Sequence, residues 1–419
     1  MNPKKIFSNE AFDVLKIDNV RYFLTYRFVM TCATMMQSIV IGWQVYSLTK
    51  NVLLLGVIGL VEAVPQVGIA LFAGHFADIW DRKKIIQYTT ILLLVGAGIL
   101  LAYSVPELDC YTRFGIFPMF ITIFLTGFVR GVLMPAHTAF LGQIVPRDKL
   151  TSAATWNSTN WQLAAVIGPA FGGLLYGFSG VVPAYSGVFI LYAFAIYLIS
   201  RVKSQRVAPV INTDENIFER ISVGVRYVFK NQILLGAFSL DMFAVLFGDA
   251  VALLPVFASD ILKTGPEGLG VLRAAPAVGA ILMSVYLAFN PPVNRSGRKL
   301  LWCVAGFGLA IIAFALSKNF YLSAFLLLLS GSFDNMSVVV RGSVLQLYTP
   351  DEVRGRVAAV NSIFIGSSNE IGTFESGLTA KYMGTIPSVI FGGCMTLLIV
   401  GIASRKAPKL RKLELKDAV

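Results

Sequence analysis

The sequence of 419 residues is 56% hydrophobic and only 14% charged, and its mean hydropathy is +0.71. About a quarter of the residues of a soluble protein are charged, so this composition excludes a soluble globular protein. The formal net charge of +12 would favour nucleic-acid binding in a soluble protein. In a membrane protein, basic loops instead set the topology and contact anionic lipid, and we expect no nucleic-acid partner.

Apolar stretches long enough to cross a bilayer recur along the whole chain. About 20 apolar residues cross roughly 30 Å of hydrocarbon as a helix. These stretches are longer than barrel strands and apolar on all sides, so they predict helices. The N-terminal 23 residues are polar and do not resemble a cleavable signal peptide. We predict twelve spans at 22–48, 52–77, 85–104, 114–141, 152–177, 181–200, 232–257, 268–289, 300–317, 320–347, 356–382 and 384–404.

The basic residues are distributed unequally between the two sides of these spans. Of the 35 Lys and Arg residues, 26 fall on the side of the N-terminus, 5 on the opposite side and 4 within spans. Because cytoplasmic loops carry the excess of Lys and Arg, this bias places both termini in the cytoplasm. We therefore expect a multi-pass protein of the cytoplasmic (inner) membrane in contact with the lipid bilayer.

The chain divides into two similar halves. When 126–177 is shifted by 204 residues, Gly127 falls on Gly331 and Asn157 on Asn361, among other matches. The predicted fold is an all-α membrane protein with twelve transmembrane helices in two parallel-repeated six-helix halves, at 1–200 and 232–404. A cytoplasmic linker with an amphipathic helix at 218–230 occupies 201–231, and 405–419 is a basic cytoplasmic tail. Parallel repeats with a substrate site near the midplane are typical of secondary transporters.

The loop after span 2 carries a charged motif that includes Gly74, Asp78, Arg82 and Lys83. It resembles the signature loop of the major facilitator superfamily, although Ile79 and Asp81 depart from that pattern, and a degenerate copy lies at 294–299. The resemblance implies that the carboxylate of Asp78 faces the positive N-terminus of span 11 and closes the cytoplasmic side. The basic residues would serve topology and salt bridges between the halves. The alternative is a role in topology alone.

Span 5 contains the sequence Gly168-Pro169-Ala170-Phe171-Gly172-Gly173. It resembles the GPxxGG core of a motif associated with antiporters of this superfamily, which favours export. Small residues also let two helices approach closely, and a proline permits a bend, so ordinary helix packing is the alternative.

The wider resemblance is to the superfamily branch that contains enterobactin and macrolide exporters, and it covers nearly the whole chain. It implies a cytoplasmic-membrane exporter driven by the proton motive force, but it does not define the substrate. The matching stretches lie at 42–49, 74–84, 253–258, 355–361 and 369–377.

Ionisable residues within spans are expensive in hydrocarbon and usually face a cavity or a partner. Desolvation favours the protonated form of a buried carboxylate, as a proton carrier requires. We expect Glu62 to be the first candidate for proton coupling, since it has no obvious local cation. The alternative is structural salt bridging, for instance Asp334 with Arg341, and we expect Arg27 to extend to the membrane surface. Candidates for coupling or for lining the cavity are Glu62, Arg130, Asp241, Asp249, Asp334, Arg341, Glu370 and Glu375, together with His137, which the repeat superimposes on Arg341.

The sequence lacks the motifs of competing functions. It has no Ser-His-Asp set, no Walker loop and only scattered cysteines, so we expect no enzyme, no ATP-driven pump, no metal site and no cofactor. The leading hypothesis is a proton antiporter that exports a medium-sized amphipathic molecule, such as a siderophore or a drug. An importer or uniporter of a nutrient or lipid-like solute is one alternative, and a polytopic membrane enzyme or sensor is another. Its expected partners are a small-molecule substrate and protons, and we expect a monomer.

Overall fold

The computed structural model describes residues 12–203, 217–248 and 250–415, without the side chains of 70–79 and 217–221 and of a few positions in the eleventh long helix. Twelve long helices and one linker helix, Ile217–Lys230, lie within these residues. The twelve are α1 Asp18–Thr49, α2 Val52–Ile79, α3 Arg82–Tyr103, α4 Phe117–Ile144, α5 Leu150–Ser179, α6 Val181–Arg201, α7 Gln232–Gly248, α8 Gly265–Phe289, α9 Ser296–Leu316, α10 Phe320–Leu347, α11 Asp351–Met383 and α12 Thr385–Lys406.

Each predicted span corresponds to one of these helices, and most ends agree within a few residues. The exception is α7, which we predicted to continue to residue 257 but which ends as a regular helix at Gly248. Short 3-10, α and π turns follow over residues 251–261. Pro255 has no backbone N–H to donate, and it lies where the regular helix would have to continue.

By length and apolar composition, eleven segments of the described residues can cross a membrane. The segment that fails this criterion is α11, which is 33 residues long but polar along much of its length. The repeat, rather than hydropathy, identifies it as a span, because it is the counterpart of α5. The protein is therefore an all-α, multi-pass membrane protein.

The chain forms two compact units. One comprises Met1–Lys50, Val61–Asn212 and Thr264–Ala274, and the other comprises Asn51–Leu60, Thr213–Lys263 and Ala275–Val419. In the first unit, α1 packs against α5 and α6, and α3 packs against α4 and α6. In the second unit, α7 packs against α11 and α12, and α9 packs against α10 and α12. The same four pairings thus occur in both units, as the sequence repeat predicts.

Residues 410–415 pack into the second unit. Leu410, Leu413 and Leu415 are buried in its hydrophobic core. The backbone N–H of Gly297 donates to the carbonyl of Leu413 at 3.1 Å, and that of Leu415 donates to the carbonyl of Val293 at 3.0 Å. The apolar part of the tail therefore secures the start of α9.

Two glycines of the repeat allow backbones to approach closely. A Cβ atom added at Gly127 of α4 would overlap the backbone of Glu62 in α2, and one added at Gly331 of α10 would overlap that of Pro276 in α8. Gly127 and Gly331 are 204 residues apart, whereas Glu62 and Pro276 are 214 apart. The two units thus use the same crossing, which in the first unit brings Glu62 next to α4.

We expect Gly127→Ala to destabilise the protein by about 1–3 kcal/mol, because the added methyl group forces α2 and α4 apart. Gly142→Ala is the matched control on the same helix, since a Cβ there has nothing within 4 Å. It should be neutral or stabilising by up to about 1 kcal/mol, because alanine is the better helix former. Thermal unfolding of the purified protein in detergent measures both. Equal melting temperatures for the two variants would contradict the close crossing.

Candidate functional site

The most buried charges within the described spans form an ion pair between α7 and α10. Arg341 Nη1 pairs with Asp241 Oδ2, and each side chain is only 6% exposed. An ion pair is tolerated in a low-dielectric interior because its charges compensate one another, whereas burial of either charge alone is strongly unfavourable. The sequence-based alternative, a salt bridge of Arg341 with Asp334, is wrong: the partner of Arg341 is Asp241, 100 residues away in the chain.

A small cavity lies beside this pair. Asp241 and Asp334 both line it, together with Ser337 and the rings of Phe307 and Phe333. The hydroxyl of Ser337 is buried and has no hydrogen-bond partner in the described part of the chain. The second unit therefore brings two of the predicted carboxylates to one place in its interior.

The first unit contains a second ion pair at mid-span. Arg130 Nη1 of α4 pairs with Glu62 Oε1 of α2. The expectation that Glu62 has no local cation is therefore wrong. The side chain of Arg130 is 43% exposed and that of Glu62 is 17% exposed. Arg130 is the fourteenth of the 28 residues of α4, and a cation at that depth is tolerated facing water rather than lipid.

Arg27 of α1 forms the third charged cluster. Its Nε donates to Asn157 Oδ1 of α5 at 3.1 Å, and its Nη1 contacts Nδ1 of His137 in α4. The prediction that this side chain extends to the membrane surface is therefore wrong, because it is held among α1, α4 and α5. The sequence signal for this cluster was His137 itself, a polar residue on an apolar helix face.

The hydrogen bonds around His137 determine its tautomer. Arginine only donates, so Nδ1 of His137 accepts from Arg27 and Nε2 carries the hydrogen. Nε2 then donates to the hydroxyl of Tyr26 at 3.1 Å, which also contacts Thr90 Oγ1 at 3.0 Å. Thr90 in turn donates to the carbonyl of Ile86 at 2.6 Å. The imidazole is thus neutral and fixed from both sides.

The Asp241–Arg341 pair of α7 and α10 and the Arg27 cluster occupy equivalent places in the two units. Arg27 is the tenth residue of α1, and Asp241 is the tenth residue of α7. Arg27 and Asp241 are 214 residues apart, as are Glu62 and Pro276, and their partners His137 and Arg341 are 204 apart, as are Gly127 and Gly331. The second unit has a compensated ion pair at this place, and the first unit has an arginine beside a neutral histidine.

The charged loop after α2 is described only in part. Gly74 and Asp78 lie in α2, and their side chains are outside the described residues. Arg82 begins α3, and Asp81, which departs from the family pattern, caps that helix by accepting from the backbone N–H of Lys83 at 2.9 Å. Lys83 Nζ donates to the carbonyl of Ser200 at the end of α6, so this contact lies within one unit.

The small residues of α5 face α1 and α8. Gly168 and Gly172 lie against Cys32, Met35, Met36 and Ile39 of α1, and Gly173 lies against Gly270 of α8. Pro169 lies inside α5, and all four residues of the motif are buried. These glycines thus lie where α5 closely approaches its neighbours, and the link of the motif to antiport stays a prediction.

Glu370 and Glu375 lie half-buried on α11. Asp249 lies outside the described residues.

We expect Asp241→Asn or Arg341→Met alone to destabilise the protein by about 3–5 kcal/mol, because each leaves an uncompensated buried charge. The double variant Asp241→Leu with Arg341→Met should recover most of this loss. The matched control is Arg21→Ala, which breaks the exposed Asp18–Arg21 pair (73% and 55% exposed) and should change stability by less than about 1 kcal/mol. Thermal unfolding in detergent measures all four. Single variants as stable as the wild type would contradict a buried pair.

Comparisons with known proteins agree with this architecture. A D-xylose–proton symporter superimposes with a TM-score of 0.70 at 13% identity, over 94% of this chain and 99% of that one. A POT family transporter in complex with 5-aminolevulinic acid gives a TM-score of 0.72 at 12% identity, over 93% and 96%. These likenesses show the fold.

Sequence similarity shows the family. The enterobactin exporter EntS of Shigella boydii serotype 4 (strain Sb227) is 24% identical over 386 residues, 90% of this chain and 88% of that protein. EntS of Escherichia coli O1:K1 / APEC is also 24% identical over the same shares. These relatives are transporters rather than enzymes. The family model described as "Transmembrane secretion effector" matches residues 10–419. The chain therefore belongs to the transmembrane secretion effector family, within the major facilitator superfamily of transporters.

Proposed function

We propose that this protein is a secondary active transporter that exports a medium-sized amphipathic organic molecule in exchange for protons. The observation that carries the proposal is similarity over 90% of the chain to proteins named enterobactin exporters. The antiporter-like sequence in α5 supports the same direction of transport. At 24% identity the substrate itself is proposed only as a class, namely a siderophore or a drug-like compound.

Coupling to protons needs a carboxylate that alternates between two states: ionised and paired with a cation, or protonated and neutral. Glu62 meets this requirement best, because it lies eleven residues into the 28-residue α2 and its partner Arg130 is 43% exposed. A proton can therefore reach it. The Asp241–Arg341 pair is 6% exposed on both sides, so we assign it a structural role. Asp334, Glu370 and Glu375 are further candidates for the carrier.

In this mechanism, a proton from the outside neutralises Glu62 and releases Arg130. Release of the proton to the cytoplasm restores the ion pair. Because protonation removes the carboxylate charge that compensates Arg130 at mid-span, protonation and the state of the site are linked. Alternation between the two states then exchanges a proton for the substrate.

Transport in proteoliposomes with an acidic lumen tests this function, with enterobactin and ethidium as probes. We expect the wild type to accumulate at least one probe and a protonophore to abolish accumulation. Glu62→Gln should lose accumulation but retain downhill movement, because a glutamine cannot carry the proton. Glu107→Gln, an exposed position between α3 and α4, is the matched control and should behave as the wild type.

Downhill movement that ignores the gradient in the wild type would indicate a uniporter and refute antiport. Full accumulation by Glu62→Gln would remove Glu62 as the carrier and leave Asp334, Glu370 and Glu375 for the same test.

The proposed orientation places both termini in the cytoplasm of an inner-membrane protein. Cys110 lies between α3 and α4, on the side that this orientation places outside, and it is partly exposed. A membrane-impermeant maleimide added to intact spheroplasts should therefore label the wild type at Cys110, and Cys110→Ser should remove that label. Lys412→Cys in the Cys110→Ser background should react only after permeabilisation. Labelling of Lys412→Cys in intact spheroplasts would reverse the topology.

A further inference from the structure

We propose that Arg27 and Asn157 form a subsite that binds a carboxylate or similar anionic group of the transported molecule. The inference rests on the proposed transport function and deepens it, because it defines the chemical class of the substrate as an amphipathic organic anion. The site lies wholly within the first unit, where α1, α4 and α5 meet.

The hydrogen-bond donors of the cluster outnumber its acceptors. Of the five hydrogens on the guanidinium of Arg27, one goes to Asn157 Oδ1 and one to His137 Nδ1. The other three have no acceptor among the described residues. The side-chain amide of Asn157 adds two more donors beside them. Planar pairs of N–H groups of this kind bind a carboxylate in a bidentate manner.

The charge of the cluster is uncompensated. Within the described parts of the chain, each ion pair of a basic residue with an acidic one involves residues other than Arg27. Its nitrogen partner His137 is neutral in the tautomer that the contact requires. The cluster therefore carries one net positive charge, and a bound anion would neutralise it.

The equivalent place in the second unit holds a buried, compensated ion pair. There the tenth residue of the first helix is Asp241, which pairs with Arg341 in the position equivalent to His137. That pair is closed and buried. The first unit retains only the cation, and both Arg27 and Asn157 are half-buried rather than enclosed, so an anion can reach them.

His137 acts as a positioning residue. It is 4% exposed, and the ring of Phe23 packs edge-on against it with centroids 6.0 Å apart. Its Nδ1 accepts from Arg27 and thereby fixes the direction of the guanidinium. A further proton on Nδ1 would remove this contact and place two cations side by side.

An anionic lipid headgroup offers the same chemistry as a substrate carboxylate. Arg27 lies about 14 Å along α1 from its first residue, at 1.5 Å per residue. We assign the site to the transported molecule, and the experiment below distinguishes this ligand from a lipid headgroup.

The test is direct binding to the purified protein in detergent, by calorimetry, of 2-naphthoate and its neutral amide 2-naphthamide. Because a charge-assisted hydrogen bond contributes more than a neutral one, we expect the wild type to bind the anion about tenfold or more tightly. Arg27→Gln should abolish this preference, and Arg27→Lys should retain part of it. Asn157→Ala should weaken the preference, which keeps the test valid if the arginine variants do not fold. Arg21→Gln, on the exposed side of the same helix, should bind as the wild type.

Equal affinity of the wild type for the two probes, or an unchanged preference in Arg27→Gln, would overturn the subsite. Native mass spectrometry adds a further arm: loss of a retained phosphatidylglycerol in Arg27→Gln with unchanged naphthoate affinity would assign the guanidinium to lipid and overturn the proposal. The assay uses no proton gradient. A wild type that prefers the anion but accumulates nothing in proteoliposomes therefore supports the subsite while refuting coupled export.

Discussion

A charge within a membrane span needs a partner or water, and this constraint organises the interior of the protein. The three charged clusters meet it in different ways. Asp241 and Arg341 neutralise one another with 6% exposure each, whereas the Glu62–Arg130 pair keeps its arginine 43% exposed. Arg27 has hydrogen bonds but no carboxylate in the described structure. Burial and compensation thus distinguish the proposed structural pair, the pair proposed to exchange a proton and the cation proposed to bind a ligand.

The internal repeat makes this comparison possible. Both units contain the same helix pairings and the same glycine crossing, at Gly127 and at Gly331. Against this common framework, the tenth residue of the first helix differs: it is Arg27 in one unit and Asp241 in the other. The same helix pairings surround the two positions. Under the proposed subsite, the charge in the first unit binds a ligand, whereas the charges in the second unit form a structural pair.

The fold was predictable from sequence because the preference of an apolar segment for hydrocarbon depends only on the residues of that segment. Hydropathy placed most helix ends within a few residues, and the repeat identified α11, which is too polar for hydropathy alone. The partners of the charges were not predictable, since pairing depends on how helices pack. Asp334 shares a helix face with Arg341, yet Arg341 pairs with Asp241 on α7. The signal available in the sequence was His137, a polar residue on an apolar helix face that the repeat superimposes on Arg341.

The most direct test of this account converts the first unit's site into the second unit's pair. Arg27→Asp combined with His137→Arg places a carboxylate and a guanidinium at the positions equivalent to Asp241 and Arg341. The account predicts a protein that folds with a melting temperature near that of the wild type, because the new charges compensate one another, and that no longer prefers 2-naphthoate over 2-naphthamide. A well-folded double variant that keeps the wild-type preference for the anion would contradict it.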